Sequence, residues 1–125
     1  MPRGIRPVAA IAEAKKFAER MGYRWQENTD NPDLAYDLHI FKPDSDRLVK
    51  VRQTRYRIDP DTIYEDLIPD TLREVRALPF PPWIIREVWL RTRHERTWRR
   101  LIVHDLAVGE LEWWGPDGYT NPHAR

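Results

Sequence analysis

Apolar residues first recur along this chain at helical spacing. Ala10, Ala14, Phe17 and Met21 fall three or four apart, so Val8 to Met21 reads as a helix with one apolar stripe. Gly22 follows as a C-terminal stop. The period then shortens to two: Tyr23 to Gln26 alternates aromatic and polar residues as a short strand does. Residues Glu27 to Asp33 are rich in Asn and Asp and contain Pro32, which predicts a loop. Two apolar runs come next, Leu38-His39-Ile40-Phe41 and Leu48-Val49-Lys50-Val51-Arg52, with a turn at Pro43 to Asp46 between them.

Asp59-Pro60 has the form of a helix start, a capping acid followed by proline. Ile63, Leu67, Leu72 and Val75 supply an apolar face, and Pro69 interrupts it, which predicts two short helices meeting near Ile68. Three prolines close the segment Leu78 to Pro82. Trp83 to Arg91 and Thr97 to His104 read as strands joined by a charged turn at His94 to Arg96. Asp105 to Glu112 reads as one helical turn or an irregular strand. Gly115-Pro116-Asp117-Gly118 is a turn, and residues 113–125 are expected to form a loose tail. The resulting order is α-β-β-β-α-β-β. The expected fold is α/β in the broad sense, an α+β mixed sheet in one domain spanning residues 1–125.

Composition narrows the chemistry. A chain of 125 residues can bury a core, and 41% hydrophobic against 33% charged residues implies an ordered domain. There are no cysteines, which excludes disulfides, thiolate metal sites and cysteine nucleophiles. No apolar run approaches the roughly 20 residues of a membrane span. These features lead us to expect a cytoplasmic protein without a membrane partner.

The net charge is only +1, yet the charges are unevenly placed. Arg47, Lys50, Arg52, Arg55 and Arg57 fall in one strand and its exit. Arg86, Arg91, Arg93, Arg96, Arg99 and Arg100 fall in a second pair of strands, while acids gather between Asp59 and Glu74. Such polarity suits phosphate binding, and it equally suits strand faces kept soluble by arginine. Six tryptophans are many for this length. Their default role is core packing, and only the adjacent Trp113 and Trp114 look free to be partly exposed.

The two central runs place polar residues oddly. Side chains two apart on a strand share a face, so Lys50 and Arg52 point the same way. If the strands pair, that face carries Asp37 as well. An acid on one strand, a short hairpin, then acid-x-lysine on the next strand resembles the core of the PD-(D/E)xK nucleases, most closely the archaeal Holliday-junction-resolvase-like branch. Asp37 stands at the first acid, Lys50 where the second acid belongs, and Arg52 where the lysine belongs. Element order over most of residues 8–103 matches that restriction-endonuclease-like core. The resemblance implies a homodimer that handles DNA or RNA.

It also implies a damaged site. Nucleases of this kind need carboxylates because Mg²⁺ prefers hard oxygen ligands. A cation at about 4 Å from another, at an effective dielectric of about 20, costs about 4 kcal/mol per unit charge, and a divalent ion suffers more. We therefore expect no bound metal and no cofactor at Asp37, Lys50 and Arg52, which become vestigial catalytic positions. Phosphates would be held by Lys50, Arg52, Arg55 and Arg57. The alternatives are an active Mg²⁺-dependent endonuclease with Asp37 and Glu13 or Asp33 as ligands, and a structural or protein-interaction module with no nucleic-acid role. His39 shares the face of Asp37, but a lone strand histidine is more often a packed residue than a ligand. No Gly-rich phosphate loop, HExxH or nucleophile elbow occurs. His94, His104 and His123 are isolated, and Ser45, the only serine, lies in a turn.

Overall fold

The computed structural model describes residues 7–93, 95, 97–115 and 118–120, with side chains described as far as Leu111. Residues 121–125 of the expected loose tail and the turn at Pro116-Asp117, together with His94, Arg96, His123 and the side chains of Trp113 and Trp114, lie outside the described residues or side chains.

Helix α1, Val8–Arg20, begins with the bond from Ile11 N–H to the Pro7 carbonyl. It ends in the manner Gly22 predicts. Gly22 has φ +85°, its N–H bonds the Glu19 carbonyl, and the Tyr23 N–H bonds the Ala18 carbonyl, which closes a Schellman turn. Ala10, Ile11, Ala14, Phe17 and Ala18 form the buried face. Its three alanines let the helix lie close against the sheet.

Strands β1 (Arg24–Glu27), β2 (Leu38–Lys42) and β3 (Ser45–Thr54) form an antiparallel meander. The chain then crosses over through α2 (Tyr64–Leu67) and α3 (Pro69–Arg76) to β4 (Ile85–Thr92), which runs parallel to β3. Strands β5 (Trp98–Val103), β6 (Val108–Gly115) and β7 (Gly118–Thr120) continue antiparallel. The result is a single mixed sheet of seven strands in chain order. The region read as a helical turn or irregular strand is β6, and part of the expected tail returns as β7. Opposite Arg100 the β5–β6 register slips, a bulge that bends the sheet there.

Each face of the sheet has its own core. Leu38, Ile40, Val49, Val51, Trp89 and Trp98 pack against α1. Leu48, Val88, Leu90, Leu101 and Val103 pack against Tyr64, Ile68, Leu72 and Val75 of the crossover. The alternation from Leu48 to Val49 and from Val88 to Trp89 sends neighbours to opposite faces. This is why both central strands read as near-continuous apolar runs.

The break at Ile68 falls where Pro69 predicts it. Proline has no N–H to continue α2, it takes the first position of α3, and it pushes Ile68 to φ −133°. The start at Asp59 does not hold. The Asp59 carboxylate accepts the Asp61 N–H at 2.9 Å, and the Thr62 hydroxyl accepts the Asp59 N–H at 2.9 Å. That closed polar turn spends the capping groups locally, and helix begins only at Tyr64, the first buried side chain. Trp83 also departs from expectation. It is 77% exposed, while Trp89 and Trp98 are buried.

Leu72 is fully buried beneath the sheet, whereas Leu106 is 96% exposed. Leu72→Ala should lower the unfolding free energy in urea by about 2–5 kcal/mol. Leu106→Ala should change it by less than about 0.5 kcal/mol.

Candidate functional site

The last residue pair of the β2–β3 ladder toward the start of β2 is Leu38 with Val49. Before Leu38 the chain turns away, so the Val51 N–H meets no strand carbonyl on that side. Asp37 replaces the missing partner. Its N–H donates to the Val49 carbonyl at 2.8 Å, and its Oδ2 accepts the Val51 N–H at 2.7 Å. The same oxygen lies 3.6 Å from Lys50 Nζ, with the Asp37 and Lys50 side chains 4% and 17% exposed. A buried backbone donor and a half-buried ammonium therefore share one carboxylate oxygen.

Arg52 does not join them. Its Nε donates to Thr71 Oγ1 of α3 at 3.2 Å and its Nη1 to the Gln53 carbonyl at 2.7 Å. The His39 ring is hydrogen-bonded to the Asp46 carboxylate across the hairpin. Asp33 is exposed in the loop before β2. Glu13 cannot share an ion with Asp37. It is paired with Arg91, which continues the Trp89 face of β4 beneath α1, whereas Asp37 is paired with Lys50 on the face toward α3. The two carboxylates stand on opposite sides of the sheet, so the ligand set Asp37 plus Glu13 fails on geometry. Among the described residues, no group of three or more His, Asp or Glu side chains is arranged to hold a metal ion.

A second charged cluster escaped the sequence reading. Glu87 on β4 is fully buried, and it accepts from Arg47 Nη1 at 2.6 Å, Arg100 Nε at 3.0 Å and Nη2 at 2.9 Å, and Trp89 Nε1 at 2.8 Å. Burial, the largest single influence, pushes its carboxyl upward. The Arg100 charge and the hydrogen bonds from Arg100, Arg47 and Trp89 together outweigh it, so the group is held below its ordinary value of 4.5 and is ionised. One signal was visible: an acid inside the apolar run Ile84 to Leu90 needs a buried cation. The register that supplies Arg47 and Arg100 was not.

This cluster changes the reading of the strand arginines. Arg100 is bound to Glu87, and Arg99 donates to Glu95 at 3.2 Å and to the Ile58 carbonyl at 3.0 Å. Arg91 pairs with Glu13 and lies 4.7 Å from the Trp98 ring. Arg86 donates to the carbonyls of Leu78, Phe80 and Ile84 and so pins the proline-rich segment before β4. These arginines are structural. Arg55, Arg57 and Arg93 are different: all three are exposed where β3 and β4 end side by side, and none makes an ion pair among the described residues. The Arg93 N–H bonds the Thr54 carbonyl at 2.7 Å, which fixes the ends of the two strands together.

No family model matches the chain, and no curated protein matches it. Among the described residues, no helix is long and apolar enough to cross a membrane. The fold and the two clusters therefore define a single α+β domain with a seven-stranded mixed sheet, an acid held by backbone and lysine, and a cationic strand edge.

Asp37→Ala leaves the Val51 N–H without its acceptor and should cost about 1–3 kcal/mol in urea unfolding. Asp37→Asn keeps an acceptor and should cost less. Glu87→Ala strands the buried Arg100 and the partly buried Arg47 guanidinium groups and should cost about 3–5 kcal/mol. Because the folded value of Glu87 is depressed, its contribution is complete above pH 4.5 and is lost as pH falls through the folded value. Acid titration of stability should accordingly be flatter in Glu87→Gln than in the parent.

Proposed function

We propose that this domain has the architecture of a PD-(D/E)xK nuclease, holds nucleic-acid phosphates and does not cut them. Support for the missing cleavage comes from Asp37. Its Oδ2 already receives the Val51 N–H and faces Lys50 Nζ, so a divalent ion would have to displace one and repel the other. Support for phosphate binding comes from the residues that follow on the same strand and at its exit. Arg52, Arg55, Arg57 and Arg93 crowd the edge where β3 and β4 finish, and their guanidinium groups suit planar, bidentate phosphate contact. Lys50 leaves the binding set, because its ammonium neutralises Asp37. The homodimer implied by the resemblance belongs to the same proposal. The other end of the sheet favours a second reading, a protein-docking role. There Leu106 and Ile63 are exposed on a cleft of about 430 Å³ shared with Val108 and Glu110.

Incubation with branched or linear DNA and Mg²⁺ or Mn²⁺ should give no cleavage. Cutting that disappears in Asp37→Ala would overturn the non-cutting assignment. Fluorescence anisotropy across a salt series should show affinity falling linearly on logarithmic axes. Arg55→Ala with Arg57→Ala should reduce that slope by about 0.7–0.9 for each phosphate no longer neutralised. Binding that is absent at low salt, or indifferent to salt, would favour the docking role.

A further inference from the structure

The cationic edge carries one aromatic ring that the core does not use. Tyr56 lies between Arg55 and Arg57 and is 69% exposed. It makes no ring contact or side-chain hydrogen bond among the described residues. Its backbone, by contrast, is held at both polar groups. The Tyr56 N–H donates to Thr54 Oγ1 at 3.2 Å, and its carbonyl accepts the Thr92 hydroxyl at 2.9 Å. Ties to the ends of both parallel strands thus fix where the ring leaves the surface.

Exposure of a tyrosine ring leaves in water apolar area that the core would otherwise cover. An exposed ring on a tied backbone, with Arg55 and Arg57 as its chain neighbours, is suited to one ligand chemistry in particular. A base has a flat face that stacks on the ring, and its flanking phosphates meet the arginines. In a duplex the bases already stack on one another and are not available to a side chain on the outside. A single strand offers them.

The nearby acids do not spoil this edge. Asp59 turns its carboxylate to the Asp61 N–H, and Glu95 is paired with Arg99. Arg52 is braced by Thr71 and the Gln53 carbonyl, so its guanidinium is held in place at the approach to the edge.

We infer that the phosphate-binding edge takes single-stranded nucleic acid, with Tyr56 stacking on one base and Arg55, Arg57 and Arg93 on the phosphates around it. This rests on the phosphate-binding reading and adds the strandedness of the ligand. DNA and RNA strands share the chemistry, and the two are distinguished by measurement.

The test is anisotropy with labelled oligothymidylate and oligouridylate of about 20 nucleotides, a span that exceeds the site size of a typical single-strand-binding fold, and with a blunt duplex of equal length. The parent protein should bind the single strands more tightly than the duplex. Tyr56→Leu, an exposed change that leaves the backbone ties intact, should weaken single-strand binding by about 5-fold to 100-fold. Duplex binding should stay within about 2-fold, and Tyr56→Trp should preserve single-strand affinity. Single-strand affinity unchanged in Tyr56→Leu, or an equal loss on duplex, overturns the inference and leaves phosphate binding standing. Absence of binding to all three probes at low salt defeats the phosphate-binding reading itself, and the inference with it.

Discussion

Strands β3 and β4 lie side by side from Arg47 against Ile85 to Thr54 against Thr92, and this parallel register positions almost everything else. Parallel neighbours cannot be joined by a tight turn, so the chain must leave the sheet and return. The return path, α2 and α3, covers one face and buries Leu48, Val88 and Leu90, while α1 covers the other over Val49, Val51 and Trp89. The same register brings Arg47 to Glu87 and ends both strands at a common edge. A slip of one residue would exchange the two faces and carry Lys50 and Arg52 away from Asp37 and Thr71 to the α1 side.

Charge inside the fold is divided by whether it has been neutralised. Glu87 tolerates full burial because two guanidinium groups and an indole N–H fill its oxygens. Asp37 tolerates near-burial because it completes the hydrogen bonding of a strand end and faces Lys50. Both acids are parts of the scaffold. Arg47 and Arg100 are consumed by Glu87 and Lys50 by Asp37, while Arg91 and Arg99 are held by Glu13 and Glu95, which removes all five from any count of groups ready for a ligand. What remains is a small set at the C-terminal edge of the parallel pair. The polarity that net charge conceals is therefore narrower than the run of arginines suggests, and more focused.

A carboxylate used as a strand cap is poorly suited to hold a divalent ion. Replacing the Val51 N–H by a cation would leave a buried donor unsatisfied, at about 1–3 kcal/mol, before any repulsion from Lys50 is counted. Stability and metal binding at Asp37 thus oppose each other. Arg55, Arg57 and Arg93 have no such conflict, because they are exposed and make no ion pair among the described residues.

Local pattern was enough for α1 and its glycine stop, for the meander, for the break at Pro69 and for the class of fold, because each depends on periodicity or on a proline or glycine whose backbone limits act within a few residues. The opposition of Asp37 and Lys50 was also within reach, since a short hairpin fixes register between adjacent strands. The helix start at Asp59 misled, because a side chain that caps a helix can equally close a turn and stop there. Exposure of Trp83 and the burial of Glu87 were decided elsewhere. So were the separation of Glu13 from Asp37 onto opposite faces and the sorting of arginines into bound and unbound. Those facts depend on which residues a crossover of some thirty positions, 55–84, brings back together, and no short stretch of sequence contains that distance.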